Sequence, residues 1–469
     1  MRQVRCTAGC VSLLVVCLAG GSVAARRTPT PASAPRQAEC LHPDTLAVHA
    51  RAMALRVEAT MGAGFVRPVT AVCLTADSAR TRQRGLVVGA FDEARSSGLL
   101  TVFERLGLSP PMTPDSIVVP PAWYEVGRDS VWIPADTALA GGRLDELLVH
   151  ELVHAFHDQT YDLRRFQGAG SDTTSWDLAQ ARKCVIEGQA QWIELQFWLA
   201  SRDRTWAAGE LSTIYWELEN VSLRQVAEDQ ARRARSRLPR DVRIPPGLRE
   251  VSLFGWLPFY WYLMGTVFTD QIVAAGGEAQ LVQVMRAPPV SMKQILHPRS
   301  FLQNPRPPRL FRPGPVDSLW PGATEFNRET YGPLLLRLYL ERHGQGKQAG
   351  FLTKGWDGDL LLLLSRHDGA PVLLWWTVWD AAWDAAGFAE GYRATLPSRG
   401  VKKSLGPDLW RGPDPDRRWS VWREDCRVLI IEDAPAADFA TLRAVMSRVI
   451  PQEAPPDSGT GTPDAASRW

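Results

Sequence analysis

One stretch of the chain has residue types and spacing that suggest chemistry directly. Leu147–Gln159, LLVHELVHAFHDQ, carries His150, Glu151 and His154 in the order H-E-x-x-H. On an α-helix, positions four apart lie one turn above each other on the same face, so both imidazoles can reach one metal ion while Glu151 sits beside it. Zinc hydrolases use this donor arrangement. The chain has only eight histidines in 469 residues, and composition alone would produce the pattern in roughly one such sequence in a hundred, so the match is informative.

Two imidazoles do not complete a catalytic zinc, which takes three protein ligands and leaves a fourth position to water. His157 shares the helix face, but it is seven residues from His150, about 10 Å along the axis, too far to share one tetrahedral ion. We therefore place it outside the metal sphere. Glu187 is the better candidate. It lies 33 residues beyond His154, in Ile186-Glu187-Gly188-Gln189-Ala190, with enough intervening chain for a second helix to return antiparallel and pack on the first. Gly188 would let those two helices approach closely, and a carboxylate oxygen is an acceptable zinc donor. The alternative is a surface carboxylate at a helix kink. Glu151 would be the general base, carrying a proton from a metal-activated water to the leaving amine. Tyr262 and His297 are candidates to donate a hydrogen bond to the oxyanion; the alternatives are an aromatic core residue and a helix-end cap. Asp158 or Asp177 could orient a ligand histidine through its distal ring nitrogen.

These residues need elements to position them. Apolar spacing predicts helices over 49–61 and 86–106, and a short strand over 69–74. A hairpin is expected from Ala122–Val126 and Ser130–Ile133 around Gly127-Arg128-Asp129, and one of its strands could offer an edge to an extended peptide. The H-E-x-x-H helix should run over about 144–159, the Glu187 helix over 176–200, and a charged helical arm over 212–237. Residues 254–275 are apolar and aromatic but are interrupted by Pro258, Gly265 and Asp270, which predicts a buried or groove-lining helix and not a membrane span. Beyond the proline-rich stretch 304–322, strand, strand, helix occurs twice: strands over 359–365, 372–379, 419–423 and 427–432, helices over 330–342, 381–396 and 436–448. That order predicts a small α+β domain with antiparallel strands.

Composition sets the wider frame. A net charge of +2 with 22% charged residues gives no reason to expect nucleic acid as a partner. The 19 tryptophans are scattered and not arrayed at a repeat period. Residues 1–25 have the form of a secretory signal: Arg2 and Arg5, an apolar run over 11–19, and Ser22-Val23-Ala24 before a cleavage site. Bulky Val16 before Cys17 argues against lipoprotein anchoring. The expectation is a secreted or periplasmic chain with no stable membrane span. Export leaves Cys40, Cys73, Cys184 and Cys426 in an oxidising compartment. Cys40 with Cys73 is the first pairing to test, since both lie near the mature N-terminus. The expected domains are a flexible linker 26–39, a catalytic domain 40–303, a linker 304–322, a C-terminal domain 323–450 and a disordered tail 451–469.

At these motifs the sequence resembles a family of exported bacterial zincin-like proteins that carry HEL(T/V)HAxQDQ followed by (V/I)EGxA. The matching residues are His150 to Ala155, Asp158-Gln159 and Ile186 to Ala190. The chain departs at His157, where the family usually has glutamine. Pro121 to Tyr124, Tyr262 to Gly265, Ile295 to Pro298 and Gly355 to Asp359 are similar to further segments of that family. The resemblance implies an α+β fold: a mainly helical zincin-like metallopeptidase domain with a short β-hairpin edge strand, plus the small C-terminal domain. It also implies a Zn²⁺ held by His150, His154 and Glu187. The leading expectation is a zinc metallopeptidase of the endopeptidase kind, cutting within a peptide or protein substrate. The competing one is a non-catalytic zincin-fold envelope protein that binds a polypeptide partner.

Overall fold

The computed structural model describes residues 40–108, 119–135, 144–168, 175–205, 207–211, 257–258, 260–366 and 369–454. The expected signal sequence, the 26–39 linker, the 212–237 arm and the tail from 455 onward lie outside them. The chain divides between Gln303 and Asn304 into two compact units.

The first unit opens with α1 (Pro43–Met61), whose buried Leu46, Ala50, Met53 and Val57 recur every three or four residues, the spacing of one helical face. Gly62 ends it at φ 69°, a left-handed conformation that glycine adopts without steric cost. After β1 (Thr70–Leu74) come α2 (Ala76–Ser96) and α3 (Leu99–Arg105). Helix therefore begins ten residues before the expected 86. The hairpin forms as β2 (Trp123–Glu125) and β3 (Ser130–Pro134). β1 joins it, pairing parallel to β3, so the sheet order is β1-β3-β2 and β2 is an edge.

Next come α4 (Leu144–Tyr161), the short α5 (Leu163–Phe166) and α6 (Trp176–Ala200). Ser175 caps α6 by accepting from the Leu178 N–H at 3.1 Å. A π-helical turn, Tyr260–Met264, leads into α7 (Gly265–Arg286), followed by α8 (Met292–Leu296) and α9 (Pro298–Gln303). One apolar cluster joins the buried face of α1 to Val131 and Ile133 of the sheet, to Leu148, Leu152 and Phe156 of α4, and to Trp192 and Ile193 of α6. α4 is thereby enclosed on nearly every side, and its polar motif is buried with it.

In the second unit, α10 (Val316–Leu319) precedes β4 (Ala323–Glu329), α11 (Gly332–Arg342) and α12 (Ala349–Thr353). There follow β5 (Trp356–Arg366), β6 (Val372–Trp379), α13 (Ala382–Thr395), β7 (Lys403–Gly406), β8 (Leu409–Arg411), β9 (Arg417–Glu424), β10 (Arg427–Pro435) and α14 (Phe439–Arg448). The sheet has seven antiparallel strands in the order β4-β5-β6-β10-β9-β8-β7. It is wider than the four strands expected. β5 and β6 are buried on both faces, which is why they are near-continuous apolar runs. β4 and β7 are the edges, mostly exposed and without alternation. The proline-rich stretch is structured: Phe311, Leu319 and Trp320 enter this unit's core. Among the described residues no helix is long and apolar enough to cross a membrane.

Cys40 and Cys73 are free thiols, near enough for one to shift the other's titration. Burial, then the Cys40 thiol, pushes the Cys73 thiol up to about 12. An oxidant is expected to close a disulfide here, seen as a linked Cys40–Cys73 peptide in a non-reducing digest. Closure of the intervening loop should stabilise the oxidised chain by about 2–4 kcal/mol relative to the reduced one.

Candidate metal centre

α4 sets the His150 and His154 rings one turn apart and edge to face, with centroids 4.8 Å from each other. α6 brings Glu187 against both. Each histidine Nε2 lies 3.3 Å from the same carboxylate oxygen, Glu187 Oε2. All three residues are buried, and their donor atoms lie within 4.8 Å of one another. Ligands about 2.0–2.1 Å from a tetrahedral zinc would stand about 3.4 Å apart, close to the two histidine-to-Glu187 separations found here. The group could therefore hold a metal ion.

The surrounding residues hold these donors in place. His150 Nδ1 meets Glu194 Oε2 at 3.1 Å, and Gln191 Nε2 donates to the same oxygen at 3.0 Å. The orienting carboxylate is thus Glu194, neither Asp158 nor Asp177. Asp158 accepts from the Tyr124 hydroxyl and the Gly127 N–H, both at 2.7 Å, and so ties α4 to the hairpin. Asp177 accepts the Met292 N–H at 3.0 Å. Glu187 Oε1 is 2.8 Å from Lys183 Nζ, one turn earlier on α6. Glu151 points to the edge strand, its Oε2 accepting the Tyr124 N–H at 2.7 Å.

The two oxyanion candidates fare differently. The Tyr262 ring is 5.8 Å from that of His150, and its phenol feels the Glu187 carboxylate. The Glu187 charge first, then burial and Glu151, holds the phenol well above its usual range, so it remains a donor. His297 ends α8 through backbone hydrogen bonds and is outside the three-donor group. His157 is also outside it, its ring 6.5 Å from that of His154. Burial, then the neighbouring His154, pushes its pKa down to about 3, so it stays neutral.

Gly188 does not serve the α4–α6 contact expected of it. It meets Gly265 at the start of α7, where a Cβ on Gly188 would lie 2.1 Å from the Gly265 carbonyl carbon. This crossing sets Tyr262, three residues before Gly265, beside Glu187. Lys183 and Glu194 were not anticipated, although both lie on the Glu187 face of one helix, four residues before it and seven after. The signal available was that helical spacing.

Electrostatics favour a cation at this point. Glu151, Glu187 and Glu194 set against Lys183 leave a formal excess of two negative charges around the imidazoles. Burial opposes ionisation of Glu187, but Lys183 and His154 outweigh it and hold its pKa well below the usual range. Burial likewise opposes charge on His150, yet Glu187 and Glu194 keep its pKa well above that of an ordinary imidazole. These carboxylates favour a proton on His150, which a metal would have to displace. Metal affinity should fall by up to about tenfold from pH 7 to pH 6, measured by competition with a chromophoric chelator.

A family model described as a domain of unknown function (DUF8575) matches residues 320–446, within the second unit. No curated protein and no solved structure matches the chain.

Proposed function

We propose that this chain is an exported, zincin-like zinc metallopeptidase that hydrolyses peptide bonds, with His150, His154 and Glu187 as ligands. The observation that carries this reading is the convergence of both imidazole Nε2 atoms on one Glu187 oxygen at 3.3 Å, with Glu151 on the same helix left free of that convergence. Bound there, zinc would supply Lewis acidity, making water more acidic and a carbonyl more electrophilic. The protein's own groups do the rest. Glu151, anchored to the β2 edge through Tyr124 N–H, accepts a proton and returns it to the leaving amine. An extended substrate laid along that edge would pass this carboxylate. The Tyr262 phenol donates a hydrogen bond to the oxygen that gains charge. The pattern of residues 1–25 supports export.

The test uses the purified mature chain, its metal content, and a peptide mixture scored by mass spectrometry. Cleavage is expected with zinc, its loss on chelation, and its return when zinc is restored. A zinc-loaded chain that leaves every peptide intact would instead favour the polypeptide-binding alternative.

A further inference from the structure

The two oxygens of Glu187 have different neighbours. Oε2 faces both histidines at 3.3 Å, whereas Oε1 is engaged by Lys183 Nζ at 2.8 Å. The ammonium is held from a second side, 5.7 Å from the Trp261 ring, and that indole is itself fixed by its Nε1 donating to Gln180 Oε1 at 2.9 Å. Trp261 and Tyr262 are consecutive in the π-helical turn, so one irregular turn supplies both the phenol and the wall against which Lys183 rests.

We propose that Lys183 is a positioning residue that occupies Glu187 Oε1 and thereby limits Glu187 to binding metal through one oxygen. The inference rests on the metal-site reading above. A carboxylate with both oxygens free can close on a metal with both, filling a position that a hydrolytic site must keep open for water or substrate. An ammonium bonded to one oxygen opposes this, because a charge-assisted hydrogen bond must be broken before the second oxygen can turn. The sequence places that ammonium by helical spacing alone, since residues four apart on α6 share a face. The rival explanation is an ordinary i,i+4 pair that only steadies the helix.

Cobalt(II) substitution separates the two, because the visible bands of cobalt weaken when coordination rises from four to five. The wild-type chain should bind cobalt with a four-coordinate spectrum. Lys183→Met, which keeps the length of the stem and removes the charge, should still bind cobalt but lose band intensity. Lys183→Arg should restore the four-coordinate spectrum. A five-coordinate wild-type spectrum overturns the proposal without any variant. So does a Lys183→Met spectrum identical to wild type, or complete loss of cobalt from that variant. A wild-type chain that takes up no cobalt removes the metal site itself, and this proposal with it.

Discussion

Gly265→Ala is expected to weaken metal binding about 10- to 100-fold and to lower the unfolding midpoint by several degrees, although residue 265 is not one of the three donors. A Cβ at this position would lie 2.2 Å from the Cys184 carbonyl oxygen and 2.9 Å from Gly188 Cα. Both neighbours are backbone, so no side chain can swing aside and α6 must separate from α7. Overpacking of this kind costs about 1–3 kcal/mol, and each kcal/mol shifts the midpoint by about 2–4 °C in a unit of this size. The separation falls where it does most harm. Glu187 precedes Gly188 on one helix and Tyr262 precedes Gly265 by three residues on the other, so donor and phenol are displaced together. Gly188→Ala should act alike, since its Cβ would meet the Gly265 backbone. Gly85→Ala is the control. It lies within α2 with nothing within 4 Å of the added Cβ, and should leave metal binding unchanged while stabilising the chain by about 0.4–1 kcal/mol. Metal titration and thermal unfolding of the three variants check the set, and an unmoved affinity in Gly265→Ala would count against the crossing as the device that holds the site.

The same crossing shows where sequence reasoning reached and where it stopped. The His150–His154 spacing is a property of one helix, so the pairing of the two rings follows from local geometry. Glu187 required a second helix, and the 33-residue separation allowed one without naming its partner. Gly188 could be recognised as a site of close approach, but a glycine does not say which neighbour approaches; the neighbour is α7, reached 77 residues later in the chain. The choice between Asp158 and Asp177 was likewise open, because any carboxylate can accept from an imidazole, and it did not include Glu194. It is decided by tertiary placement: Asp158 is engaged by the hairpin and Asp177 by α8, while Glu194 remains facing His150. In the second unit, the runs Leu360–Leu364 and Val372–Trp379 announced buried strands. β4 and β7 carry no such pattern, since an exposed edge is free to be polar, and β8, paired on both sides, has only three residues.

Glu151→Gln is expected to keep metal and lose hydrolysis by about 10²- to 10⁴-fold, roughly 3 to 5 kcal/mol on the barrier. The substitution is nearly isosteric, and the amide oxygen can still accept the Tyr124 N–H that Glu151 Oε2 accepts at 2.7 Å, so α4 and the hairpin should stay docked. What is lost is the ability to take up a proton and give it back. Metal binding should not weaken, because residue 151 is outside the three-donor group. The Glu151 charge also helps to keep the proton on His150, so its removal eases displacement of that proton by metal. Glu187→Gln makes the contrast, since it removes the charge on which both imidazoles converge and should lose metal and activity together. Metal analysis and peptide cleavage on the two variants thus separate base from ligand. If Glu151→Gln cleaves at the wild-type rate, Glu151 is not the base and the hydrolytic reading fails even with metal bound. If it loses metal as Glu187→Gln does, the assignment of ligand and base between these two carboxylates is wrong.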